Sequence, residues 1–149
     1  MLSRPCHPAD FPALYAIEEA CFDPLLRFSK SYMRQLLRRK DTAAWITEAD
    51  GRMAGFAIIG WNTVSGIVLA YIETIEVLPA LRGQGIGREL LRCLESSAVS
   101  ADAGAILLHV EEGNAVAIRM YESFGYRYVN REEGFYPLGR AALIYRKSL

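Results

Sequence analysis

Two periods of apolar residues run along the chain, and together they predict seven strands and four helices in a fixed order. Leu2 to Cys6 reads as a short strand. His7-Pro8-Ala9-Asp10 starts a helix, because prolines are tolerated only in an opening turn, and Phe11, Leu14, Ile17 and Cys21 give that helix one apolar face. The break from Phe22 to Phe28 is rich in apolar residues; Ser29 then caps a second helix in which Met33, Leu36 and Leu37 face inward. Ala43 to Ala49 and Met53 to Trp61 are strands joined by the hairpin signal Asp50-Gly51, and Asn62 to Gly66 reads as a polar turn. Ala70 to Leu78 and Ala105 to Glu111 are further strands with a helix between them, a crossover that makes them run parallel. Asn114 caps a helix from Ala115 to Phe124, which Gly125 ends. Tyr126 to Val129 and Ala141 to Arg146 close the sheet as an antiparallel pair.

The chain is organised around Ala70 to Leu91. Pro79 ends the strand because it cannot donate to a ladder. Arg82-Gly83-Gln84-Gly85-Ile86-Gly87 is a glycine turn, and Leu90, Leu91, Leu94 and Ala98 then recur at helical spacing. A strand, a glycine turn and a helix N-terminus form an anion-binding construction: the backbone comes close to the ligand, its N–H groups point outward, and the helix dipole favours negative charge. A dinucleotide fold would need a third glycine in register, and a phosphate loop of the Gly-Lys-Ser/Thr type would need residues this turn lacks.

Composition narrows the class. The 149 residues suit one domain spanning 1–149; 52% are hydrophobic, and 17 basic residues balance 17 acidic ones. Zero net charge gives no reason to expect a nucleic-acid partner, and the Arg38-Arg39-Lys40 cluster reads as a solvated helix end. Cys6, Cys21 and Cys93 form no CxxC pattern, so they read as reduced thiols. With only His7 and His109 beside them, no metal site is expected. No apolar run approaches a membrane span and no leader is apparent, so the expectation is a cytoplasmic protein without a membrane partner.

Arg82-x-x-Gly85-x-Gly87 after a strand resembles the acetyl-CoA pyrophosphate loop of the GNAT acetyltransferase superfamily. A second stretch, Asn114 to Tyr126, resembles the family's Asn-x-x-Ala-x-x-x-Tyr-x-x-x-Gly-Phe signature, and the element order is the family's over essentially the whole chain. The resemblance implies a single α/β domain: a mixed, mostly antiparallel sheet splayed between its fourth and fifth strands, with helices on both faces. It implies acetyl-CoA as the cofactor, with no metal. The pantetheine arm would lie on the backbone of Ile75, Glu76 and Val77, the pyrophosphate on the backbone from Arg82 through Gly83, Gln84, Gly85 and Ile86 to Gly87, and Asn114 would add a contact to the arm. Leu108-His109-Val110 with the following Asn114, together with Gly134-Phe135-Tyr136-Pro137, is similar to the N-terminal peptide acetyltransferases, including the ribosomal-protein alanine acetyltransferases. Bacterial alanine acetyltransferases usually carry glutamate where His109 stands. Histidine there, with Tyr71, looks more like certain eukaryotic and archaeal-type enzymes.

Acetyl transfer to an amine needs a neutral amine, oxyanion stabilisation and a proton for the leaving thiolate. A peptide α-amine has a pKa of roughly 7.7–8.0, so neutralising it at pH 7 costs about 1 kcal/mol, against about 4.6 kcal/mol for a lysine at roughly 10.4. A modest base therefore suffices. His109 is one candidate, with Tyr71 as relay, and Glu73 is the alternative if it shares the face of Tyr71. Glu76, of opposite parity, reads as solvated or structural, as do Glu111 and Glu112. Tyr121 matches the family's thiolate acid, the reading preferred over its alternative, a core aromatic on the helix face. Phe22, Leu25, Leu26 and Tyr136, with Tyr71, are the candidate acceptor wall, although the loop residues read equally well as plugs for the core. The expected partner is a protein or peptide N-terminus, with the chain a monomer or weak homodimer. A small-amine acetyltransferase and a non-catalytic acetyl-CoA-binding module are the alternatives.

Overall fold

A computed structural model describes residues 1–149, and its elements follow the expected order. They are β1 (Leu2–Pro5), α1 (Phe11–Cys21), α2 (Lys30–Arg38), β2 (Thr42–Ala49), β3 (Arg52–Val64), β4 (Ile67–Val77), α3 (Ile86–Ser100), β5 (Ala105–Glu111), α4 (Ala115–Ser123), β6 (Arg127–Tyr136) and β7 (Arg140–Ser148). The strands form one sheet in the order β1-β2-β3-β4-β5-β7-β6, antiparallel throughout except for β4 against β5. β3 is buried along most of its length because it is covered on both faces. Phe56 and Ile58 meet Leu14, Ile17, Met33 and Leu36 of α1 and α2, while Ala57 and Ile59 share the other core with Leu90, Leu91 and Leu94 of α3.

Local signals placed the turns and caps. Asp50 and Gly51 both have positive φ, as a two-residue primed hairpin requires. Ser29 Oγ accepts from the Tyr32 N–H at 3.0 Å, and Asn114 Oδ1 from that of Ala117 at 3.2 Å. Three expectations need correction. The polar stretch Asn62 to Gly66 is no loop: β3 runs to Val64, and Ser65-Gly66 alone makes the turn, because the ribbon's exposed end carries polar residues without losing its pairing. The closing strands are likewise longer, with β6 reaching Tyr136 on almost wholly exposed residues. Glu76 is buried at 3% exposure on the α1 side, the face of Tyr71. Its parity is reversed by a bulge: Ile58 pairs with Thr74 and Ile59 with Ile72, so Glu73 is the extra residue.

Gly55 makes this stretch of β4 possible. A Cβ built there would lie 2.6 Å from the Glu76 carbonyl oxygen, backbone against backbone, whereas one at Gly113 would meet nothing within 4 Å. Gly55→Ala is therefore expected to cost about 1–3 kcal/mol in urea unfolding, the range of overpacking, with Gly113→Ala near neutral. Equal midpoints for the two variants would contradict this packing.

Candidate functional site

β4 and β5 pair only from Leu69 with Ala105 to Ile72 with Leu108, and beyond that they part. Leu78 N–H donates to Ala54 on the β3 side, so ladder alternation turns the backbone groups of Thr74 and Glu76 toward β3 and those of Ile75 and Val77 toward the gap. The Val77 carbonyl is already taken, by Arg82 Nε at 3.0 Å and by the Cys21 thiol at 3.4 Å. Both Ile75 groups and the Val77 N–H remain free for a ligand.

At the mouth of the gap the chain turns into α3. Gly83 and Gly85 have φ of 80° and 86°, and a Cβ on either would meet nothing within 4 Å. The backbone N–H groups from Gly83 to Arg88 find no acceptor in the protein; the first helical bond is Glu89 N–H to Gly85. Open space above a row of free donors at a helix N-terminus suits a phosphate-bearing ligand. Arg82 stands apart from this row. Its N–H is spent on Pro79 and its side chain latches Val77 and Cys21, so it shapes the turn from behind.

The candidate chemical groups gather at the parting point. Tyr71 on β4 and His109 on β5 meet through Tyr71 Oη and His109 Nδ1 at 2.7 Å. Phe135 of β6 stacks on the imidazole, with centroids 4.0 Å apart and planes 7° apart, and Glu132 Oε1 lies 3.6 Å from Nε2. Burial, and then Glu73, raise the Tyr71 phenol above its ordinary value, so it keeps its proton. The Glu132 carboxylate facing Nε2 favours the ring proton there, and that tautomer leaves Nδ1 to accept from Tyr71. Glu73 does not touch the pair through a hydrogen bond: its Oε1 lies 3.9 Å from Arg39 Nη1, so Arg39 is more than a solvated helix end. Burial raises the Glu73 carboxyl and Arg39 opposes the shift.

Tyr136 stands between the two ends of the site. Burial, then Glu111, push its phenol up to about 12, and its charge would be felt by both Tyr71 and Tyr121. Tyr121 is buried at 7% exposure against Tyr126, with centroids 5.6 Å apart, and burial raises its phenol too. Phe22 and Leu26 line a cleft of about 340 Å³ whose far wall is Glu111 and Arg140, while Leu25 is 73% exposed and outside it. The loop is thus partly a surface wall and does not plug the core throughout. A larger cleft, about 560 Å³ between Pro5, Arg34 and Trp45, takes none of these residues.

Sequence reasoning missed Phe135, Glu132 and Arg39. Phe135 sits beside Tyr136 in the hairpin motif, but β6 is irregular between Glu132 and Tyr136, so strand alternation could not tell which of them faces His109.

The profile of the Acetyltransferase (GNAT) family matches residues 11–126. A streptothricin acetyltransferase of Streptomyces lavendulae is 38% identical over 88 residues, 59% of this chain and 46% of that protein. The [ribosomal protein bS18]-alanine N-acetyltransferase of Escherichia coli is 34% identical over 90 residues, 59% of this chain and 57% of that protein. The chain thus spans about half the length of these curated relatives. The crystal structure of the Escherichia coli ribosomal-protein-S18-alanine N-acetyltransferase superposes with TM-score 0.84 at 25% identity, covering 99% of this chain and 92% of that one. Arabidopsis thaliana NAA60, solved in complex with acetyl-CoA, shares the fold with TM-score 0.86 at 22% identity, over 99% and 98% of the two chains.

The free N–H row makes a direct forecast. Gly85→Asp puts a carboxylate into the open space, and Gly85→Ala imposes the same backbone strain without the charge. Coenzyme A titrated calorimetrically is expected to bind the alanine variant weakly and the folded aspartate variant not at all. Unchanged binding to the aspartate variant would remove this turn from the site.

Proposed function

Because the chain belongs to the GNAT acetyltransferase family, we propose that it transfers an acetyl group from acetyl-CoA to the α-amine of a protein or peptide N-terminus, by direct attack in a ternary complex at the opening between β4 and β5. The observation that carries this reading is the Tyr71–His109 contact across the parting strands. Acetyl-CoA supplies the acyl group as a thioester. Ile75 and Val77 hold its pantetheine arm by backbone groups, aided by Asn114, and the N–H groups from Gly83 to Arg88 hold its pyrophosphate. A cytoplasmic reaction is part of this reading; no helix of the chain is long and apolar enough to cross a membrane.

The proton path follows from the assigned hydrogen bond. Tyr71 Oη takes the proton of the acceptor amine while its own proton passes to His109 Nδ1, so a phenol with a raised pKa never has to exist as free phenolate. Glu132, near Nε2, stabilises the imidazolium that results, and Phe135 keeps the ring in plane. Tyr121 holds a proton on its hydroxyl for the leaving sulfur; burial keeps that phenol protonated at neutral pH. Glu73 is left to its ion pair with Arg39. Phe22 and Leu26 face Glu111 and Arg140 across a cleft open to solvent, which suits a peptide running outward. The streptothricin relative favours a second reading, a small-molecule amine as acceptor.

A panel of peptides differing at their first two residues, run beside free amino acids and polyamines and followed by coenzyme A release, separates the two. Peptides are expected to give the higher kcat/KM, and saturation by a free amine alone would favour the second reading. With the preferred acceptor, His109→Ala is expected to lower kcat by roughly 10²–10⁴, the usual loss for a general base, with acetyl-CoA affinity unchanged. Tyr71→Phe should behave alike and Glu73→Gln should be nearly silent. Full activity in the first two variants would mean that bulk water takes the proton.

A further inference from the structure

The helix that supports the Phe22–Phe28 loop has a carboxylate in its core face. Glu18 of α1 is 1% exposed and Glu76 of β4 is 3% exposed, and Glu18 lies near enough to the Glu76 carboxyl to raise it. Each is anchored on one side: Thr74 Oγ1 donates to Glu76 Oε2 at 2.7 Å, and the Phe28 N–H to Glu18 Oε2 at 3.0 Å. Each also keeps one fully enclosed oxygen, Oε1, with no donor from the rest of the protein. Two ionised carboxylates offer acceptors only and repel each other, whereas one proton held between them satisfies both. Burial first, and then Glu18, hold the Glu76 carboxyl well above the usual carboxylate range, so the proton is present at neutral pH. The other groups facing the pair are the Cys21 thiol on α1, which burial keeps protonated, and the Arg82 guanidinium.

Glu18 grips the loop at its base. Tyr15 Oη donates to the Phe28 carbonyl at 2.8 Å, so α1 side chains hold both backbone groups of Phe28. The loop's other end is tied by Arg27 to the Phe22 and Glu19 carbonyls. The wall carrying Phe22 and Leu26 is therefore joined through Glu18 and Glu76 to the strand whose free edge opens the site.

We propose that the proton shared by Glu18 and Glu76 is a positioning device that fixes the Phe22–Phe28 loop relative to the open edge of β4, and so sets acceptor binding. This rests on the reading of that loop as acceptor wall. Neither residue touches the reacting atoms. Glu18→Ala removes both the acceptor for Phe28 N–H and the partner of Glu76. Glu18→Gln keeps both functions, its amide oxygen accepting from Phe28 and its NH2 donating to Glu76, with no need for the shared proton.

The test compares wild type, Glu18→Ala and Glu18→Gln in two readouts, amide exchange of the free protein at pH 7 and steady-state kinetics with the preferred peptide. Phe28 and its loop are expected to exchange at least tenfold faster in the alanine variant and near the wild-type rate in the glutamine variant. Peptide KM should rise about tenfold in alanine and recover in glutamine, with acetyl-CoA affinity constant, the size expected from loosening a wall by one or two hydrogen bonds. Between pH 7 and pH 9.5 the wild-type peptide KM should rise more than that of Glu18→Gln, since only wild type loses a shared proton; the amine's own titration is common to both. Unchanged loop exchange in a folded Glu18→Ala overturns the proposal. A loosened loop with unchanged peptide KM supports the grip and removes the loop from the acceptor site, which refutes the acceptor reading alone. If the alanine variant does not fold, the glutamine variant decides: a smaller KM rise with pH than wild type supports the proposal, and an equal rise overturns it.

Discussion

The parting of β4 from β5 is the constraint on which the rest depends. A parallel pair normally satisfies its backbone to the end, and buried N–H and C=O groups left unpaired are costly. Here pairing stops at Ile72 and Leu108, and the next residues of β4 keep only their β3 partners. The protein offsets part of the loss itself, through Arg82 and Cys21 on the Val77 carbonyl. What stays free is a short strand edge leading to a row of N–H donors at the start of α3. One break in one ladder thus produces an amide-binding slot and an anion-binding turn in line with each other.

The same break concentrates chemistry. Tyr71 is itself still paired, with Leu107, and His109 directly follows the last paired residue of β5, so their separation is set by the sheet and needs little further ordering. The bulge at Glu73 then rotates the remainder of β4, which sends Glu76 toward α1 and leaves Glu73 beside Arg39. Bulges re-aim side chains at functional edges, and this one turns Glu76 onto the face of Tyr71, where simple alternation would not have placed it. β6 completes the site from a distance in sequence by laying Phe135 on the imidazole.

How much was legible follows from the range of each interaction. Caps, primed hairpins and the glycine turn are local, and Ser29, Asn114, Asp50-Gly51 and the Gly83–Gly87 stretch stand where their residue types demand. The splay and the pairing order came from the family resemblance, since no periodicity reports where a ladder ends. The Glu73 bulge was invisible because it depends on register against Ile58 and Ile59. Glu18 lay in an apolar helical face, and a charged residue at such a position reads as surface until its partner on β4 is known. The length of β3 was misjudged because Asn62 and Thr63 are polar, although exposed ribbon ends carry such residues freely.

The central claim is that the free edge of β4 and the turn into α3 bind one ligand together. Amide hydrogen exchange measured with and without coenzyme A tests it most directly, residue by residue. New protection is expected at Ile75 and Val77 and along Gly83 to Arg88, with Thr74 and Glu76 unchanged because they already face β3. Coenzyme A that binds while the Ile75 and Val77 amides exchange as before would contradict it.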